Sequence, residues 1–143
     1  MSFKKFIIKH NSTIHKALEK LQNLTTKTKL LLVVNNSNKL LGTLTDGDIR
    51  RALLNGYIIS DNIGNAFKNK PLYFFKKDLN INYAIKELNK KKIQLAPIVN
   101  KNKIVIDIIH QDLLNKNKKK KTFKKKYNLK EVAVIIMAGG FGK

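Results

Sequence analysis

Apolar positions along this chain fall into two kinds of run, and the two kinds alternate. Phe6, Ile7 and Ile8 form a short apolar segment that predicts a strand, and Asn11-Ser12-Thr13 behind it is a helix-starting signal. Ile14, Ala17, Leu18 and Leu21 then recur at i, i+3, i+4 and i+7, the spacing of one helical face. Leu30 to Val34 is uninterrupted and short enough for a buried strand, Asn35 to Lys39 is a turn, and Leu40 to Leu44 returns as a second strand. A helix opens at the polar corner Thr45-Asp46-Gly47-Asp48 and stops at Asn55-Gly56.

A linker with a short helical piece, Asp61 to Phe67, follows, and then the order begins again. Leu72 to Phe75 predicts a strand, and Ile81, Ala84, Ile85 and Leu88 repeat the helical face. Leu95 to Val99 is a strand, Asn100 to Lys103 a turn and Ile104 to Ile109 a strand, with His110, Gln111 and Asp112 starting a last short helix. The halves superpose by residue. Ile14, Ala17, Leu18 and Leu21 answer to Ile81, Ala84, Ile85 and Leu88; Val33-Val34-Asn35 answers to Ile98-Val99-Asn100; Asp48-Ile49 answers to Asp112-Leu113. The offset drifts only across turns, as in a duplicated unit with loop deletions.

The corner at Thr45 carries the candidate chemistry. Thr45 and Asp46 are good N-cap residues, and a helix N-terminus offers unpaired N–H groups and a partial positive charge to an anion. Asp48 beside it can accept hydrogen bonds from sugar hydroxyls. An ordinary strand-to-helix cap is the other reading of the same residues.

A duplicated helix–strand–strand–helix unit, with Gly42-x-x-Thr45-x-x-Asp48 ahead of the second helix, resembles a pair of CBS motifs over about residues 1–115. The resemblance implies an α+β fold of two βαββα units, residues 1–57 and 58–115, packed sheet to sheet with pseudo-two-fold symmetry. It also implies ligand clefts for adenine nucleotides, AMP, ADP or ATP. Carried over by position, Thr45 meets a phosphate and Asp48 a ribose, Asp46 and the Gly47 backbone line the corner, and Arg50 or Arg51 offsets phosphate charge. In the second motif Asp112 takes the ribose role, and Ala96 and Pro97 lie beside the base. The sequence departs from the pattern at Ile106 and Ile109, which stand at the Gly and Thr positions and cannot donate to a phosphate. His110 is the polar neighbour that remains, read mainly as a surface helix-cap histidine.

Charge changes the picture less than its size suggests. The formal net charge is +21, from 30 Lys and Arg against 9 Asp and Glu. That favours anionic partners at long range. Only Arg50 and Arg51 are arginines, though, and the lysines are scattered and mixed with asparagines, so no groove for reading bases is expected. There is no cysteine, and His10, His15 and His110 have no zinc-ligand spacing. No apolar run is long enough to cross a bilayer and no secretion signal opens the chain, so the expectation is a cytoplasmic protein with no metal, no membrane and no specific nucleic-acid partner.

Residues 116–130 contain a lysine-rich run that reads as a solvated linker. Beyond it, 131–143 holds Val132 to Met137, strand-like, and then Ala138-Gly139-Gly140-Phe141-Gly142-Lys143. This resembles the opening loop of sugar-phosphate nucleotidyltransferases, in which Gly139, Gly140, Gly142 and Lys143 would hold the phosphates of a nucleoside triphosphate. Magnesium would belong to the rest of such a catalytic domain, and a chain stopping in the loop would not catalyse transfer by itself. The leading expectation is therefore a regulatory, nucleotide-binding module of an enzyme that makes nucleotide-activated sugars. The alternative is a ligand-free pair that dimerises its enzyme, and a third possibility is a polycation that binds nucleic acid.

Overall fold

The structure is a computed structural model that describes residues 2–64 and 66–111. Residues 1–109 form one compact unit. Its strands are β1 (Ile7–Lys9), β2 (Leu30–Val34), β3 (Leu40–Thr45), β4 (Phe74–Phe75), β5 (Leu95–Val99) and β6 (Val105–His110). Its helices are α1 (Ile14–Gln22), α2 (Asp46–Leu54) and α3 (Ile81–Lys90). The fold is α+β, with two three-stranded sheets ordered β1-β2-β3 and β4-β5-β6.

The first half builds as the hydrophobic pattern requires. Thr13 caps α1 by accepting from the Lys16 N–H at 3.1 Å, and Ile14, Ala17 and Leu21 are buried beneath it. A nine-residue helix is marginal alone, but burying its large aliphatic side chains contributes about 1.5–3 kcal/mol each. β1 runs parallel to β2, and β2 antiparallel to β3. Phe6 is buried in a 3-10 turn ahead of β1, so the strand starts one residue later than the apolar run suggests.

The second half repeats this. Asn80 caps α3 by accepting from the Tyr83 N–H at 3.1 Å, and Ala84 and Leu88 are buried. β4 pairs parallel with β5, but only through Phe74 and Phe75. Leu95, Val99 and Val105 join the apolar core built by β1, β2 and α1.

The symmetry is clearest at the two turns. Asn35 Oδ1 accepts from the N–H groups of Ser37 and Lys39 at 2.9 and 3.0 Å, and Asn100 Oδ1 from those of Asn102 and Ile104 at the same distances. Asn38 and Lys103, equivalent in the repeat, both take the left-handed conformation, with φ of 63° and 61°. The turns then bond each other reciprocally: the Leu40 N–H donates to the Lys103 carbonyl at 2.9 Å, and the Val105 N–H to the Asn38 carbonyl at 3.3 Å. Lys39 and Ile104, also equivalent, form an antiparallel bridge. Such reciprocity is what a two-fold axis requires.

The linker corrects one expectation. The described residues between Asp61 and Phe67 form no helix, because their backbone groups bond elsewhere. The Ile63 N–H donates to the Ser12 carbonyl at 2.8 Å, and the Asp61 carbonyl accepts from the Ile14 N–H at 2.8 Å. Ile63 is a buried plug, not one face of a helix. Lys68 then pairs with Thr43 through two bonds of 2.9 Å, covering the outer edge of β3.

Candidate functional site

Strand β3 ends at Thr45 and turns directly into α2. The side chains of the corner bond first to one another. Thr45 Oγ1 accepts from the Asp48 N–H at 3.2 Å, and Asp48 Oδ2 accepts from both the Thr45 N–H and the Thr45 hydroxyl at 2.9 Å. This is a complete capping box. Asp48 is only 4% exposed, an uncommon state for a carboxylate unless it is paired. Its other oxygen, Oδ1, is bonded by the Arg51 guanidinium one turn along α2. Asp46 points outward, paired with Arg50 at 2.8 Å.

The residues singled out in the sequence divide into three groups. Thr45, Asp46, Asp48 and Arg51 are brought together at the start of α2. Arg51, carried over with Arg50 as a residue that offsets phosphate charge, here bonds Asp48 at i, i+3 spacing. Ala96 and Pro97 lie buried in β5 on the other sheet, and Ile109 is buried near the end of β6. Asp112, Gly139, Gly140, Gly142 and Lys143 lie outside the described residues, as does the lysine-rich run.

Chemically, the corner offers a buried carboxylate and the first-turn N–H groups of Asp46 and Gly47, which the box does not use. A hydroxyl-bearing ligand would have to share Asp48 Oδ1 with Arg51 or displace it, and the arginine side chain is 63% exposed. Among the described residues, no group of three or more His, Cys, Asp or Glu is placed to hold a metal ion. No helix among them is long and apolar enough to cross a membrane.

Comparison with solved structures decides the architecture. CBSX2 in complex with AMP superposes with a TM-score of 0.67 at 18% identity, over 81% of this chain and 88% of that one. The CBS domain pair of MJ0100, in complex with 5-methylthioadenosine and S-adenosyl-L-methionine, gives 0.64 at 20% identity, over 81% and 89%. This is the fold of a CBS domain pair. A CBS domain protein from Streptococcus pneumoniae TIGR4 gives 0.66 at 18% identity, over 77% of this chain and 72% of that one. Residues 1–55, the first half of the pair, match the CBS domain family model. Uncharacterized proteins of two Helicobacter pylori strains, ATCC 700392 / 26695 and J99 / ATCC 700824, are each 35% identical over 79 residues, or 55% of this chain. The chain spans only 24% of the length of these curated relatives.

Proposed function

We propose that this CBS pair is a regulatory module that binds an adenine nucleotide at the Thr45–Asp48 corner. The observation that carries the reading is the buried Asp48 carboxylate, held in place by Thr45 beside unused first-turn N–H groups. Asp48 takes the ribose hydroxyls and the helix N-terminus takes the phosphate. The AMP and S-adenosyl-L-methionine complexes of CBSX2 and MJ0100 support an adenine-containing ligand. The parent we infer is a cytoplasmic sugar-phosphate nucleotidyltransferase, on the strength of Gly139-Gly140-Phe141-Gly142-Lys143. Ligand binding regulates it only by favouring one arrangement of the pair over another.

Calorimetry at fixed ionic strength with AMP, ATP and inorganic phosphate tests this. The expected result is saturable heat with AMP or ATP that phosphate does not reproduce; no heat from either nucleotide would overturn the reading. Arg51→Ala refines it. Adenosine should bind up to about tenfold more tightly, because its hydroxyls no longer compete with the guanidinium for Asp48, a gain equivalent to about 1.4 kcal/mol. AMP should gain less, since the same arginine offsets phosphate charge.

A second reading, dimerisation, is favoured by the apolar side chains at and beyond the end of α2: Leu54 is 81% exposed, Ile58 61% and Ile59 50%. A second copy of the chain would cover them, giving a homodimer by sedimentation with or without nucleotide.

A further inference from the structure

A cavity of about 350 Å³ opens along the outer edge of β1, away from the Thr45–Asp48 corner. That is near the lower end of the size range of small-molecule sites, about 300–1,000 Å³. Apolar Phe3, Ile7, Ile8 and Val105 line it together with Lys4, Lys9, Lys16 and Lys20, and among the described residues no carboxylate does. Helix periodicity puts Lys16 and Lys20 on one face of α1, where like charges at i, i+4 oppose each other. The Lys20 ammonium is held below its usual pKa, first by burial and then by the neighbouring Lys16 charge. Lys9 is fixed at the rim, its Nζ donating to Asn38 Oδ1 at 2.5 Å and to the Asn35 carbonyl at 3.2 Å.

We propose that this cavity is a separate site for a small phosphorylated metabolite, its phosphate between Lys16 and Lys20 and its less polar part against Phe3 and Ile7. A phosphate dianion there removes the repulsion between the two lysines and restores counter-charge to a half-buried ammonium. The apolar lining favours an organic phosphate over free phosphate, because it adds area removed from water. The site does not depend on the nucleotide reading of the Asp48 corner.

The test is amide NMR on the full chain, titrated with AMP, adenosine and inorganic phosphate against matched chloride. AMP should shift the amides of Ile7, Lys16 and Lys20 saturably, with phosphate shifting them more weakly and adenosine least. Lys16→Ala/Lys20→Ala should weaken this response at least tenfold while leaving any response at Thr45–Asp48 in place. Lys76→Ala/Lys77→Ala, which removes the same charge from exposed positions outside the cavity, should leave both responses unchanged. A response at Ile7 and Lys20 that chloride reproduces, or that both double variants weaken equally, overturns the proposal, as does the absence of any response there. Failure of the nucleotide reading alone would instead silence Thr45–Asp48 and spare the cavity.

Discussion

Gly42→Ala should destabilise the fold by about 1–3 kcal/mol, more than its single added methyl group suggests. A Cβ at Gly42 would lie 2.0 Å from the Lys68 carbonyl oxygen, 2.6 Å from Phe67 Cδ2 and 2.9 Å from the Lys68 carbonyl carbon. The first and third are backbone atoms, and Lys68 cannot retreat without breaking its two bonds to Thr43. Each such bond contributes about 0.5–1.5 kcal/mol, so relief by movement costs about as much as the clash. Gly47→Ala provides the contrast. The nearest atom to a Cβ there is Arg51 Nη1 at 3.6 Å, and the position lies in the first turn of α2, so alanine should be neutral or stabilising by up to about 1 kcal/mol. Urea unfolding of both variants measures this, with the midpoint falling for the first and not for the second.

Asp48→Ala should affect stability and binding together, and Asp48→Asn should separate them. Alanine leaves the Thr45 N–H and hydroxyl without their acceptor and breaks the capping box, at about 1–3 kcal/mol. Asparagine keeps an oxygen to accept from the Thr45 N–H, so most of the cap survives. It lacks the second carboxylate oxygen that a ribose hydroxyl would use. Nucleotide affinity in Asp48→Asn should therefore fall at least tenfold, about 1.4 kcal/mol, while thermal stability, which loses the Arg51 pair but keeps the cap, falls less than in Asp48→Ala. Equal affinity for wild type and Asp48→Asn, measured by calorimetry, would remove Asp48 from the ligand's contacts.

The fold was legible because its periodicities are strong and repeated. Ile14, Ala17 and Leu21 mark the buried face of α1, and Leu30–Val34 and Leu95–Val99 are central strands bounded by turns. The errors lie where tertiary partners override local pattern. Ile63 and its neighbours carry helix-compatible apolarity, yet their backbone bonds to Ser12 and Ile14. Leu72 and Tyr73 extend the apolar run before β4 but do not join its pairing with β5. At the corner, the residue types pointed to a cap and an anion site, and the cap is there. What they did not reveal is that Arg51 occupies the very carboxylate a ligand would need. The cavity at β1 was missed for another reason: Lys16 and Lys20 were two lysines among many, and only the fold brings Phe3, Ile7 and Val105 to the same cavity.

The reciprocal bonds between the two asparagine turns tie the repeats together at one point. Lys39 and Ile104 pair with each other as equivalents, so the pseudo-two-fold axis passes between them. β3 leaves that point at Leu40 and reaches Thr45 about 17 Å away, at roughly 3.3 Å per residue. The Thr45–Asp48 corner therefore lies a full strand length from the contact that joins the repeats, and any rotation about that contact would carry the corner farther than the turns.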